Sequence, residues 1–111
     1  MRLSICVATY NRADVIGETL ASIIGQLTDG VELLVVDGAS TDATETVVQG
    51  LLAGRGDCRY VRLPQRGGLD HDYAAAVALA GGDYCWLMTD DDVLKPQAVA
   101  RVMDGPALAI P

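Results

Sequence analysis

Val31-Glu32-Leu33-Leu34-Val35-Val36-Asp37-Gly38-Ala39-Ser40-Thr41-Asp42-Ala43-Thr44 changes character halfway along. Residues 31–37 form an apolar, β-branched run with almost no alternation, the pattern of a strand covered on both faces. An acid and a glycine follow, and then Ser40, Thr41 and Asp42, all side chains suited to capping a helix N-terminus. Ala43, Val47/Val48 and Leu51/Leu52 then share one helical face up to Gly54. A doubly covered strand that leads straight into an amphipathic helix is the repeating unit of a parallel sheet.

The same unit recurs on both sides. Upstream, residues 2–9 (RLSICVAT) read as a buried strand. Asn11 is placed to cap the helix that follows, with Asp14 in its first turn. Val15/Ile16, Leu20, Ile23/Ile24 and Leu27 recur at helical spacing until Asp29-Gly30. Downstream, Gly54 to Asp57 make a turn, and residues 58–63 (CRYVRL) a third strand closed by Pro64. Gly67-Gly68 precede a helix over roughly 70–80, on which Tyr73, Val77 and Ala80 share a face, and Gly81-Gly82 end it. Residues 83–88 (DYCWLM) form a fourth strand. Pro96 suits the first position of a last helix with Val99, Val102 and Met103 inward, stopped by Asp104-Gly105-Pro106.

The order β-α-β-α-β-α-β-α gives one strand every 25 to 30 residues, enough for a crossover helix each time. The predicted fold class is α/β: a three-layer, Rossmann-like, mostly parallel sheet with right-handed crossovers. No linker, low-complexity tract or further repeat divides it, so residues 1–111 read as part of one domain.

Half of the residues are hydrophobic, which indicates globular material, yet no Phe is present and aliphatic side chains must build the core. The net charge of −7, from 15 acids against 8 bases, argues against nonspecific binding to nucleic acid or an anionic membrane. An anionic ligand would need a local remedy such as a divalent cation or a helix N-terminus. Cys6, Cys58 and Cys85 lie in strand-like runs without metal spacing, so reduced, buried thiols in a cytoplasmic protein are expected. The N-terminus shows no signal-peptide pattern. No apolar run reaches the roughly 18 residues that span a bilayer.

Open parallel sheets bind ligands outside the carboxyl ends of their strands. Those ends carry Thr9-Tyr10-Asn11-Arg12, Asp37-Gly38-Ala39-Ser40-Thr41-Asp42 and Thr89-Asp90-Asp91-Asp92. Each has an ordinary reading alone: caps, a turn, a solvated acidic loop. Cys85 and Trp86 read most simply as core, and His71 as an exposed helix residue. Together, stacked aspartates at a strand end would be relieved by a hard cation, and Mg²⁺ or Mn²⁺ commonly pairs one or two carboxylates with ligand phosphates. The constellation suits a nucleoside diphosphate with its metal. Neither GxGxxG nor GxxxxGK[ST] is present. A receiver-like acidic pocket would want acids directly after strand one, where the first is Asp14.

Ser4 to Arg12, Glu32 to Thr44, and Ala80 to Tyr84 leading into Thr89-Asp90-Asp91-Asp92 and Pro96, resemble three signatures of the family-2 glycosyltransferases of GT-A fold, in order and spacing. Gly67 to Tyr73, with Tyr84 to Leu87, resembles the branch of abequosyltransferase-like enzymes of O-antigen synthesis. The resemblance implies an inverting, hexosyltransferase-type transfer from a nucleotide-diphosphate sugar to a saccharide or lipid-linked acceptor. It also implies Mg²⁺ or Mn²⁺ as cofactor. Ala8, Thr9, Tyr10 and Arg12 would lie along the nucleotide, and Asp37 near the base or ribose. Asp70 would be a donor-site residue, Asp90 would approach the ribose or sugar, and Asp91 and Asp92 would hold the metal. The register within Asp90 to Asp92 stays open. Many relatives carry a second acid after the residue corresponding to Asp37, where this sequence has Gly38.

Family members usually continue well beyond the aspartates, so the chain is expected to be the N-terminal, nucleotide-sugar-binding part of a truncated glycosyltransferase domain. The acceptor half and the catalytic base would lie beyond Pro111, and the full-length protein could associate with a membrane. The competing expectation is a non-catalytic, nucleotide-binding or self-associating module, a homo-oligomer formed through the edge of the cut sheet.

Overall fold

Four strands and four helices alternate along the chain in a computed structural model that describes residues 2–104. They are β1 (Leu3–Thr9), α1 (Ile16–Ile24), β2 (Val31–Asp37), α2 (Thr44–Leu52), β3 (Cys58–Arg62), α3 (Leu69–Leu79), β4 (Tyr84–Met88) and α4 (Ala98–Asp104). The sheet is parallel throughout, in the order β3-β2-β1-β4. The apolar runs sit where that order puts them. β1 and β2 occupy the centre and are buried along nearly their whole length, whereas β3 and β4 lie at the edges and are buried only in part.

The sheet has a layer of helices on each face. Leu3, Ile5 and Val7 of β1 and Leu33 and Val35 of β2 pack with Ile16, Leu20 and Ile23 of α1, Val48 and Leu52 of α2 and Val99 of α4. On the opposite face Cys6, Leu34 and Val36 meet Ala76 of α3. The chain steps from β1 to β2 to β3 in one direction with helices on one face, then returns to β4 with its helix on the other. A single crossover hand requires this reversal of face. Burying side chains of Val, Leu or Ile size stabilises by about 1.5–3 kcal/mol each, so this double-faced packing is the main source of stability.

Registers align the strand ends. Thr9 pairs with Asp37, and Val7 with Met88, so the loops after β1, β2 and β4 leave the sheet at one level. At the other end, Gly82 packs directly on β1: a Cβ there would stand 2.7 Å from Ser4 Oγ and 2.8 Å from its backbone nitrogen. Ser4 Oγ donates to Glu32 at 2.5 Å and accepts from the Gly82 N–H at 2.9 Å, closing the sheet where β4 enters.

Several expectations need correction. Asn11 does not cap α1: its φ is +52°, and its Oδ1 accepts instead from the N–H groups of Thr41 and Asp42. The residue at the start of α2 is Ala43, which has no capping side chain, while Asp42 Oδ1 accepts from the Thr44 N–H. On α3 the inward residues are Asp72 and Ala76, and Val77 is 49% exposed, because the helix lies mainly over β1 and β2 and reaches the end of β4 through Tyr73, whose hydroxyl donates to the Met88 carbonyl. For the same reason Cys85 is exposed rather than buried. Cys58, on the other edge, is half-buried and only Cys6 is enclosed. Trp86 is likewise only half-buried. The last helix begins at Ala98, two residues after Pro96, and its stop at Gly105-Pro106 lies outside the described residues. His71 is exposed, as expected.

Candidate functional site

The reversal of strand order between β1 and β4 opens a crevice at their carboxyl ends, the usual ligand position in open parallel sheets. A cleft of about 350 Å³ lies there. β1 and its loop contribute Ala8, Thr9, Tyr10 and Arg12; the end of β4 contributes Thr89, Asp90 and Asp91; the approach to α3 and its first turns contribute Arg66, Gly68, Leu69 and Asp72.

Asp90 is fixed by three contacts. Its Oδ2 accepts from Thr9 Oγ1 at 3.0 Å, its Oδ1 lies 3.5 Å from Arg12 Nε, and its carbonyl accepts from Thr19 Oγ1 at 3.0 Å. Burial raises its carboxyl above the ordinary carboxylate value, although Thr9 and Arg12 pull in the other direction. The Arg66 guanidinium stands 4.2 Å from the centre of the Tyr10 ring, a cation–π distance. The cleft thus carries two guanidinium groups despite the acidic chain, which is the local remedy an anionic ligand needs.

The loop between β1 and α1 is held from outside the cleft. Besides the two N–H groups bound by Asn11, the Asn11 N–H donates to Ser40 Oγ at 2.8 Å and the Arg12 N–H to Thr44 Oγ1 at 2.9 Å. Ser40 is itself tied to Asp37, whose Oδ1 accepts from both the Ser40 N–H (2.8 Å) and hydroxyl (2.7 Å). Asp37 Oδ2 accepts from the Tyr60 hydroxyl at 2.6 Å.

Six of the residues singled out by sequence therefore share the cleft: Ala8, Thr9, Tyr10, Arg12, Asp90 and Asp91. Three do not. Asp37 has no exposed surface, and its oxygens are occupied by Ser40 and Tyr60. Asp70 is exposed in the first turn of α3, which turns Asp72 rather than Asp70 into the cleft. Asp92 accepts from Thr89 Oγ1 at 2.7 Å and lines a separate depression beside Trp86 and Leu94. Arg66 and Asp72 were missed by sequence reading. Arg66 sits in a loop without periodicity, and Asp72 lies off the helical face that Tyr73, Val77 and Ala80 share in the sequence.

The fit of a divalent cation rests on Asp91. It is exposed, borders the cleft, and accepts no hydrogen bond among the described residues. Among those residues no three His, Cys, Asp or Glu side chains gather into a protein-only cage. One free carboxylate completed by ligand phosphates is a common arrangement for Mg²⁺ and Mn²⁺, so the donor set fits that mode of binding.

Residues 4–105 match the family described as Glycosyl transferase family 2. The chain is 35% identical over 106 residues to the abequosyltransferase RfbV of Salmonella typhimurium, covering 90% of this chain and 31% of that protein. It is 31% identical over 98 residues to the succinoglycan biosynthesis protein ExoO of Rhizobium meliloti, covering 88% of this chain and 28% of that protein. Among solved structures, the mannosyltransferase PcManGT of Pyrobaculum calidifontis, in complex with GDP-Man and Mn²⁺, superposes with a TM-score of 0.86 at 30% identity. That match covers 96% of this chain and 32% of the other. S. aureus TarS 1–349 in complex with UDP-GlcNAc gives a TM-score of 0.84 at 26% identity over 93% of this chain and 30% of that one. The chain spans about a third of the length of these relatives. Its parallel sheet, with helices on both faces and a cleft at the turn-back of strand order, has the GT-A fold of these glycosyltransferases. The chain belongs to glycosyl transferase family 2.

Proposed function

We propose that these residues form the donor-binding part of a glycosyltransferase that moves a sugar from a nucleoside-diphosphate carrier to a saccharide or lipid-linked acceptor in polysaccharide or O-antigen-type synthesis. The observation that carries this reading is the cleft between β1 and β4, where Tyr10 with Arg66, Arg12 with Asp90, and the free Asp91 face one space. Tyr10 offers a ring face to a nucleobase. Arg12 and Arg66 offer charge to a diphosphate. Asp91 is the residue to hold Mg²⁺ or Mn²⁺, with Asp92 beside it, whose Oδ2 is engaged by Thr89. When bound, the ion would neutralise the diphosphate leaving group. Asp37 acts through Ser40 on the β1–α1 loop, a positioning role. The base that deprotonates the acceptor, and with it an inverting outcome, belongs in this reading to the part of the relatives' length outside these residues.

Titration calorimetry with UDP, GDP, CDP and ADP, with and without Mn²⁺, tests the reading. Binding that depends on the metal and is lost in Asp91→Ala, with no sugar transfer by this chain alone, is the expected result. Absence of nucleotide binding at millimolar concentrations overturns the reading. A second reading, a self-associating module without catalysis, is favoured by β4, an edge strand with Leu87 and, just beyond it, Val93, about half exposed (47% and 50%).

A further inference from the structure

Asp72 is the least explained polar side chain in the cleft. It is 4% exposed, and among the described residues no protein group donates to its Oδ2. Its only side-chain partner is a long 3.4 Å contact between Oδ1 and Nδ1 of the largely exposed His71. Among the described residues no fully buried side-chain oxygen lacks a partner, so Oδ2 stays open to the cleft that Asp72 lines. A carboxylate this enclosed has given up most of its water and gains from a donor that enters the cleft. Two glycines place it there. Gly68, at φ +93°, turns the chain into α3 so that the first turns face the sheet. Gly38 leaves the end of β2 bare: a Cβ at that position would stand 2.5 Å from Asp72 Oδ2. The carboxylate therefore occupies the space that any side chain at position 38 would take.

The position also has a direction. Asp72 meets the sheet at the end of β2, whereas Asp91 follows β4, and β1 lies between them. Neighbouring strands are about 4.8 Å apart, so the two carboxylates bracket a cleft about two strands, or ~10 Å, wide. A nucleoside diphosphate whose phosphates lie at Asp91 and Arg12 then has its base near Tyr10 and Asp72. An ionised carboxylate only accepts hydrogen bonds, so the group it awaits is a hydrogen-bond donor, and a base N–H is one.

We propose that Asp72 reads the nucleobase, accepting a hydrogen bond from an N–H on its Watson–Crick edge, and that Gly38 is small so that Asp72 can do so. This rests on the donor-binding reading above. The test is calorimetry in Mn²⁺ with UDP, GDP, CDP and ADP, and with inorganic pyrophosphate as a ligand that has no base. Asp72→Asn should weaken the preferred nucleotide about tenfold or more, the worth of one charge-assisted hydrogen bond, and flatten the ranking among bases. Pyrophosphate affinity should stay within about twofold. Gly38→Ala, whose methyl displaces Oδ2 without altering any charge, should reproduce the effect and so guards against misfolding of one variant. Unchanged nucleotide ranking in both variants, or equal weakening of pyrophosphate, overturns the role of Asp72. Failure of the unaltered chain to bind any nucleotide overturns the donor-binding reading itself, so the two failures are distinguishable.

Discussion

Replacing Asp37 by Ala should destabilise the fold although the residue does not line the cleft. The carboxylate has no exposed surface and accepts three hydrogen bonds, from the Ser40 N–H, the Ser40 hydroxyl and the Tyr60 hydroxyl. Arg62 adds an ion pair at 3.8 Å, but it is 39% exposed and contributes little. Ser40 is 4% exposed, so its N–H would be stranded, at a cost of about 1–3 kcal/mol. The half-buried Tyr60 hydroxyl can partly recover water, for about 1 kcal/mol. Losing the desolvation cost of a buried charge works in the opposite direction. A net loss of about 3 kcal/mol follows, a large share of the ~5–15 kcal/mol that holds a domain of this size. With a urea dependence of ~1–2 kcal/mol per molar, the unfolding midpoint should fall by roughly 1.5–3 M. Urea titration followed by the fluorescence of Trp86 measures it. Asp37→Asn keeps an acceptor for Ser40 and should cost about 1–2 kcal/mol, and Tyr60→Phe about 1. The double variant should show a coupling of about 1 kcal/mol. An Ala variant within ~0.5 kcal/mol of the unaltered chain, or additive single changes, refutes the reasoning.

Two other perturbations follow from the same geometry. Burial pushes the Cys6 thiol from 9.0 up to about 12 and also raises the Tyr60 hydroxyl, with Asp37 as the second cause there. Both groups keep in the folded state protons that the unfolded chain releases, so stability is full below pH 9 and declines as pH rises toward 12. Urea midpoints measured across that window should fall, and a flat profile contradicts the assignment. At the sheet edge, Leu87→Glu should abolish any concentration-dependent association seen by analytical ultracentrifugation, and an unaltered chain that stays monomeric at high concentration removes the β4-edge reading.

The layered α/β architecture was legible because its central strands are unbroken apolar runs, a pattern that only a doubly covered strand produces. β2 ends where the sequence places it, at Asp37 before Gly38. The edges were less legible. YCWLM looks as buried as VELLVVD, and only the pairing order shows that among the described residues β4 lacks a neighbour on one side. In the site, residues that directly follow strands were found because the position follows from topology. Asp72 was not, since its environment depends on where α3 crosses the sheet. Asn11 and Ser40 suit helix capping, yet they make hydrogen bonds between loops, because a tertiary partner about 30 residues away outcompeted the local one.

Thr9 and Asp90, which meet through one hydrogen bond, are separated by 81 positions, whereas β1, β2 and β3 are sequential neighbours. A growing chain can pair its first three strands early. The open flank of β1 must wait until β4 emerges, since contacts of long sequence separation close last. Until then Asp90 has neither Thr9 nor Arg12, and the cleft has only one wall. The cleft therefore gains its second wall only when β4 docks, and in the donor-binding reading a nucleotide that bridges β1 and β4 would act on the chain as a latch for that step.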